Sequence, residues 1–198
     1  MIWDKAAKVY DFFETIYNKK VYVGTGVVVA SMVKQRDVVL ECACGTGAIT
    51  KYVAPKCQRI VASDFSVGML RQASKNCRKY PNVVFKKADI MNLNCADNRF
   101  DTVIAGNVIH LVPDPVRAIN ELKRVVKPGG KIIIPTYINM ADGAKSAIIK
   151  VLEKLGIDFK RQFDMKSYMK FFEDLGYDSI EYHVVEGRMP CAIAVIDC

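Results

Sequence analysis

The chain reads as an α/β protein on a doubly wound sheet of seven strands, mostly parallel, with an antiparallel last strand. Three observations carry that reading. Short apolar runs alternate with segments of helical periodicity from about residue 37 to about residue 136, as in successive strand–helix–strand units of a parallel sheet. The first run ends in a glycine-bearing loop, Glu41-Cys42-Ala43-Cys44-Gly45-Thr46-Gly47. After residue 160 a helix is followed by two strands joined only through Glu186-Gly187-Arg188-Met189-Pro190, and so short a link implies an antiparallel pair.

The strands are expected near 37–42, 59–63, 82–87, 100–106 and 130–136, and the helices near 46–54, 66–79, 114–126 and 142–155. Pro113 and Pro115 bracket Asp114, a suitable start for the helix carrying Ile119 and Leu122. Pro128-Gly129-Gly130 ends that helix and turns the chain into Ile132-Ile133-Ile134. Asp164 caps a helix running to Leu175, with Gly176 as its carboxyl cap, before strands at 179–185 and 191–196. Ahead of all this, Ile2, Trp3, Ala6, Val9, Tyr10, Phe13, Ile16 and Tyr17 recur at helical spacing. One domain is expected over 1–198, with a helical N-terminal region (1–35) preceding the sheet core (36–198).

Composition narrows the class. Of the 198 residues, 51% are hydrophobic and 25% charged, as in ordinary globular proteins. No run reaches the roughly 20 apolar residues that span a bilayer; Val21 to Val33 comes nearest and is interrupted by Gly24, Thr25, Gly26 and Ser31. Asp4, Asp11 and Glu14 break any signal-peptide pattern, so a cytoplasmic location is expected. Seven cysteines without framework or metal-site spacing read as reduced thiols, and no metal is expected. The formal charge of +8 is spread over pairs such as Lys19-Lys20 and Lys86-Lys87, which reads as solvated surface rather than a nucleic-acid footprint.

The glycine loop by itself is weak evidence, and its neighbours decide its ligand. Thr50 stands where a dinucleotide fingerprint has its third glycine, and no G-x-x-x-x-G-K-[ST] phosphate loop occurs. Glu41, at the strand's end, repels a pyrophosphate and attracts a cation. The next strand ends in Asp64, seventeen residues beyond Gly47, where an acid accepts from ribose hydroxyls. An acid for an ammonium, an acid for a ribose and no phosphate binder together describe S-adenosylmethionine.

On these residues the chain resembles the class I S-adenosylmethionine-dependent methyltransferases. Val38–Gly47 matches the family's glycine loop, Ile60–Phe65 its ribose acid and Ala88-Asp89-Ile90 its adenine turn. Phe100–His110 looks like the fourth strand and its loop, and Leu122–Lys131 like the turn into the fifth. Ala43 departs from the usual glycine. The central segments look most like the ubiquinone/menaquinone biosynthesis and phospholipid methyltransferase branch.

The resemblance implies a Rossmann-like fold with the N-terminal helix as a lid, and a cofactor site of Tyr10, Glu41, Ala43, Gly45, Gly47, Asp64, Phe65, Met69, Asp89, Ile90 and Asn107. Glu41 would meet the methionine ammonium, Asp64 the ribose, Phe65 and Ile90 the adenine faces, and Asp89 its amino group. His110 and Tyr137, just past the fourth and fifth strands, are the candidate catalytic residues, each with ordinary packing as the alternative. The implied function is methyl transfer to a small-molecule or lipid-like acceptor. The alternatives are a peripheral phospholipid N-methyltransferase, an RNA methyltransferase and a nicotinamide-dependent oxidoreductase. Asn107-Val108-Ile109-His110 lacks the proline pair of base-amino methylating enzymes, and Pro190-Cys191 lies in the closing hairpin; both argue against nucleic acid. Trp3, Phe12 and Phe13 beside Lys5, Lys8, Lys19 and Lys20 leave weak membrane-surface contact open.

Overall fold

The computed structural model describes residues 18–138 and 162–198. Seven strands, β1 (Val38–Cys42), β2 (Arg59–Asp64), β3 (Val83–Lys87), β4 (Phe100–Ala105), β5 (Val126–Tyr137), β6 (Glu181–Val185) and β7 (Cys191–Asp197), form one sheet in the order β3-β2-β1-β4-β5-β7-β6. The first five are parallel, and β7 is antiparallel to both of its neighbours. From β1 the chain steps outward to β2 and β3, then returns to lay β4 on the other side of β1. Strand order therefore reverses between β1 and β4, which opens a crevice beyond their carboxyl ends.

The helices are α1 (Lys19–Ser31), α2 (Thr50–Val53), α3 (Val67–Asn76), α4 (Pro115–Val125) and α5 (Met165–Glu173). Alternation along β5 divides the core between the two faces of the sheet. Ile132 and Ile134 pack with Ile119 and Leu122 of α4 and Tyr168 and Phe172 of α5. Ile133 packs on the other face with Val21 and Val29 of α1 and Val53 of α2. The caps follow the sequence: Asp114 accepts from Arg117 N at 3.0 Å, and Asp164 and Ser167 form a reciprocal capping box. Ser66 caps α3 by accepting from Met69 N at 3.1 Å.

Two elements differ from expectation. The helix expected over 46–54 begins at Thr50, because Gly45 (φ 55°) and Gly47 (φ 85°) hold left-handed backbone that no α-helix continues. Strand β5 starts at Val126 rather than 130, running through Pro128-Gly129-Gly130 with a register shift against β4 between Phe100 and Thr102. Helix α1 falls within the N-terminal region (1–35) expected to be helical, but the helical spacing that marked that region ends at Tyr17, and the glycines and β-branched residues of 19–31 are poor helix formers. Tertiary contact holds it: a Cβ on Gly26 would run into the Tyr52 ring, and one on Gly24 would lie 2.6 Å from Val185. The expected helices over residues 2–17 and 142–155 lie outside the described residues. No helix among those described is long and apolar enough to cross a membrane.

Candidate active site

Beyond the carboxyl ends of β1, β2 and β4 lies a cavity of about 290 Å³. Its floor is the loop after β1, shaped by left-handed backbone at Ala43 (φ 52°) and Gly45 (φ 55°). Two acids brace that loop. The Asp64 carboxylate accepts from Gly45 N at 2.9 Å through one oxygen and from Ser66 N at 2.8 Å through the other, tying the loop to the end of β2. Glu41 is buried at the end of β1, where its Oε2 accepts from the Thr50 hydroxyl at 2.6 Å.

Farther along, Asp89 Oδ1 accepts from Met91 N at 2.9 Å, and its carbonyl accepts from Asn92 N at 3.0 Å, which closes the turn after β3. Arg124 anchors the segment beyond that turn by donating to the Leu93 and Cys95 carbonyls at 2.8 Å each while pairing with Glu121. Asn107, at φ 52°, donates its N–H to Pro135 O at 2.7 Å, and its side-chain oxygen accepts from Tyr137 N at 3.0 Å. The ends of β4 and β5 are thereby fixed to each other beside the cavity.

Ten of the residues expected at the site line this cavity: Glu41, Ala43, Gly45, Asp64, Phe65, Met69, Asp89, Ile90, Asn107 and Tyr137. Gly47 does not. It faces away, where a Cβ would sit 2.8 Å from Cys77 Sγ and 3.5 Å from Ala73, so its part is to let α3 pack against the loop. His110 does not line the cavity either; it is buried, and desolvation pushes its imidazole down to about pKa 4. Tyr10 lies outside the described residues.

The cavity also gathers residues that sequence reasoning passed over. Thr46 sits within the glycine loop itself and was within reach of that motif. Tyr22 and Thr25 come from α1, an element with no periodic signal. Val108, Leu111, Val112 and Pro113 form an apolar wall after β4. The Cys42 and Cys44 thiols in the loop are buried, and burial raises both well above the ordinary thiol range.

The donor set fits S-adenosylmethionine. Buried Glu41 stands at the end of β1, half-buried Asp64 ends β2 and half-buried Asp89 follows β3. At Gly45 nothing lies within 4 Å of where a Cβ would stand, so the cavity floor is open backbone against which a ligand can lie.

Comparison with known proteins agrees with this geometry. Residues 40–134 match the protein family described as a methyltransferase domain. The chain thus carries a methyltransferase domain of the class I S-adenosylmethionine-dependent kind, whose cofactor is S-adenosylmethionine. Within that class its relatives lie in the ubiquinone/menaquinone branch. It is 38% identical to a demethylmenaquinone methyltransferase of Paenarthrobacter aurescens over 56% of this chain and 43% of that one. It is 26% identical to one from Bacillus licheniformis over 94% of this chain and 95% of that one. For several of its relatives, then, the chain matches only about half of their length. A solved S-adenosylmethionine-dependent methyltransferase from Aquifex aeolicus shares the fold, with a TM-score of 0.71 at 20% identity over 97% of this chain and 96% of that one.

Proposed function

We propose that the protein methylates a small, apolar, quinol-like acceptor. The observation that carries this reading is the apolar wall after β4, in which Val108, Leu111, Val112 and Pro113 stand in the same cavity as Tyr137 and the acids. A flat apolar ring suits such a wall, whereas a phosphodiester would meet no lysine or arginine among the described residues that line the cavity. The names of the demethylmenaquinone methyltransferase relatives point the same way.

When bound, the cofactor supplies a methyl group already activated on a sulfonium. The protein's task is then to align the acceptor in line with it and to exclude water. Glu41 holds the methionine ammonium, Asp64 the ribose hydroxyls and Asp89 the adenine amino group, while Ile90 and the half-exposed Phe65 flank the adenine. Asn107 fixes the backbone at the end of β5, and Tyr137 at that end orients the acceptor. A neutral imidazole of pKa about 4 that does not line the cavity is a weak base at neutral pH. We therefore assign His110 to packing of the loop after β4 rather than to proton transfer.

The test is incubation with S-adenosylmethionine and, in separate arms, a short-chain demethylmenaquinol, phosphatidylethanolamine vesicles and unmodified transfer RNA, read by mass spectrometry. Methyl gain on the quinol alone is expected. Methyl gain on the lipid amine or the RNA with an unchanged quinol would overturn the reading.

A further inference from the structure

The acids of the site account for the ammonium and the ribose of the cofactor, but its amino-acid tail also carries a carboxylate. Among the described residues expected from the sequence, none is a cation, and Tyr137, assigned above to the acceptor, is the only one with a hydroxyl. Helix α1 supplies another. Thr25 is 4% exposed and lines the cavity, and its hydroxyl has no hydrogen-bond partner among the described residues. A helical threonine ordinarily satisfies its hydroxyl on the carbonyl one turn back. This one does not, and a buried hydroxyl without a partner is a standing cost to the free protein.

The surroundings say which part of a ligand would meet it. Tyr22, one turn earlier and on the same face of α1, also lines the cavity, and its phenol oxygen accepts from Lys51 Nζ at 2.7 Å. The Lys51 ammonium stands 4.5 Å from the centre of the Tyr22 ring and 5.2 Å from that of Tyr52. Lys51 belongs to α2, whose first residue, Thr50, donates to Glu41. Tyr22 is thus linked through Lys51 and its neighbour Thr50 to Glu41, and Thr25 stands one turn along α1 in the same cavity. The close seating of Gly26 against Tyr52 brings α1 near enough for this.

We propose that Thr25 binds the carboxylate of the cofactor's amino-acid tail, with Tyr22 and Lys51 setting a favourable potential there, so that α1 makes the site selective for ligands bearing that tail. The zwitterion is then held from both sides, its ammonium by β1 and its carboxylate by α1. The inference rests on the cofactor and not on the identity of the acceptor.

Equilibrium dialysis with S-adenosylhomocysteine and with 5′-methylthioadenosine, which lacks the tail, tests it on the wild-type chain, Thr25→Val and Thr25→Ser. Thr25→Val should weaken S-adenosylhomocysteine roughly tenfold or more, leave methylthioadenosine within about twofold, and leave the ligand-free melting temperature no lower. Thr25→Ser should restore S-adenosylhomocysteine binding to within about threefold of wild type. An unchanged S-adenosylhomocysteine affinity in Thr25→Val would overturn the proposal. So would an equal loss for both ligands, which would make Thr25 a wall of the cavity and nothing more.

Discussion

His110 ties the stability of the fold to pH in a way that can be worked out from its burial. Desolvation lowers its imidazole from an ordinary 6.5 to about 4 in the folded protein. Between those values the unfolded chain binds a proton that the folded chain refuses, so stability rises with pH across the window. The contribution is complete above about pH 6.5 and is lost progressively as the pH falls toward 4. At about pH 5 the unfolded imidazole is mostly protonated and the folded one mostly neutral, a difference equivalent to about 2 kcal/mol. Urea unfolding at about pH 7.5 and about pH 5 measures it, with His110→Gln as the reference that carries no charge at either pH. Every other titrating group is present in both proteins and cancels. Wild type should lose about 2 kcal/mol more than the variant between the two conditions. Equal losses would mean that the imidazole is protonated inside the fold, and the argument that removes it from proton transfer would fail with it.

Two further predictions concern the loop after β1. Gly47→Ala places a Cβ at φ 85° and 2.8 Å from Cys77 Sγ, and should destabilise the fold by about 2–4 kcal/mol in denaturant unfolding; a loss below about 0.5 kcal/mol would contradict the packing of α3 on this loop. Asp64→Ala removes the acceptor for Gly45 N and Ser66 N together with the expected ribose contact, and should weaken S-adenosylhomocysteine by roughly tenfold or more in calorimetry. Unchanged affinity there would sink the ribose assignment.

The sheet was legible in the sequence because its strands are short apolar runs punctuated by glycine, proline and capping residues. Asp64, Glu41 and the glycine loop were legible for a related reason: each sits at a fixed distance from the end of a strand, so spacing places it. What escaped depends on how distant elements meet. Helix α1 carries Gly24, Gly26 and a run of valines, and only the Tyr52 ring and Val185 on its neighbours explain why that segment is helical and close to the site. Gly45 and Gly47 look alike in the sequence. One lines the cavity while the other is turned onto Cys77, a distinction set by where α3 docks. His110 likewise follows β4 where a pocket residue was expected, yet it is Val108, Leu111 and Val112 of the same loop that line the cavity.

Isothermal titration calorimetry of the purified chain with S-adenosylmethionine and S-adenosylhomocysteine tests the central claim most directly. The site built by Glu41, Gly45, Asp64 and Asp89 predicts one-to-one binding of both at micromolar affinity or tighter, about −8 kcal/mol or more favourable. Absence of heat and of competition from either ligand, in a sample whose unfolding transition shows it to be folded, would contradict the account.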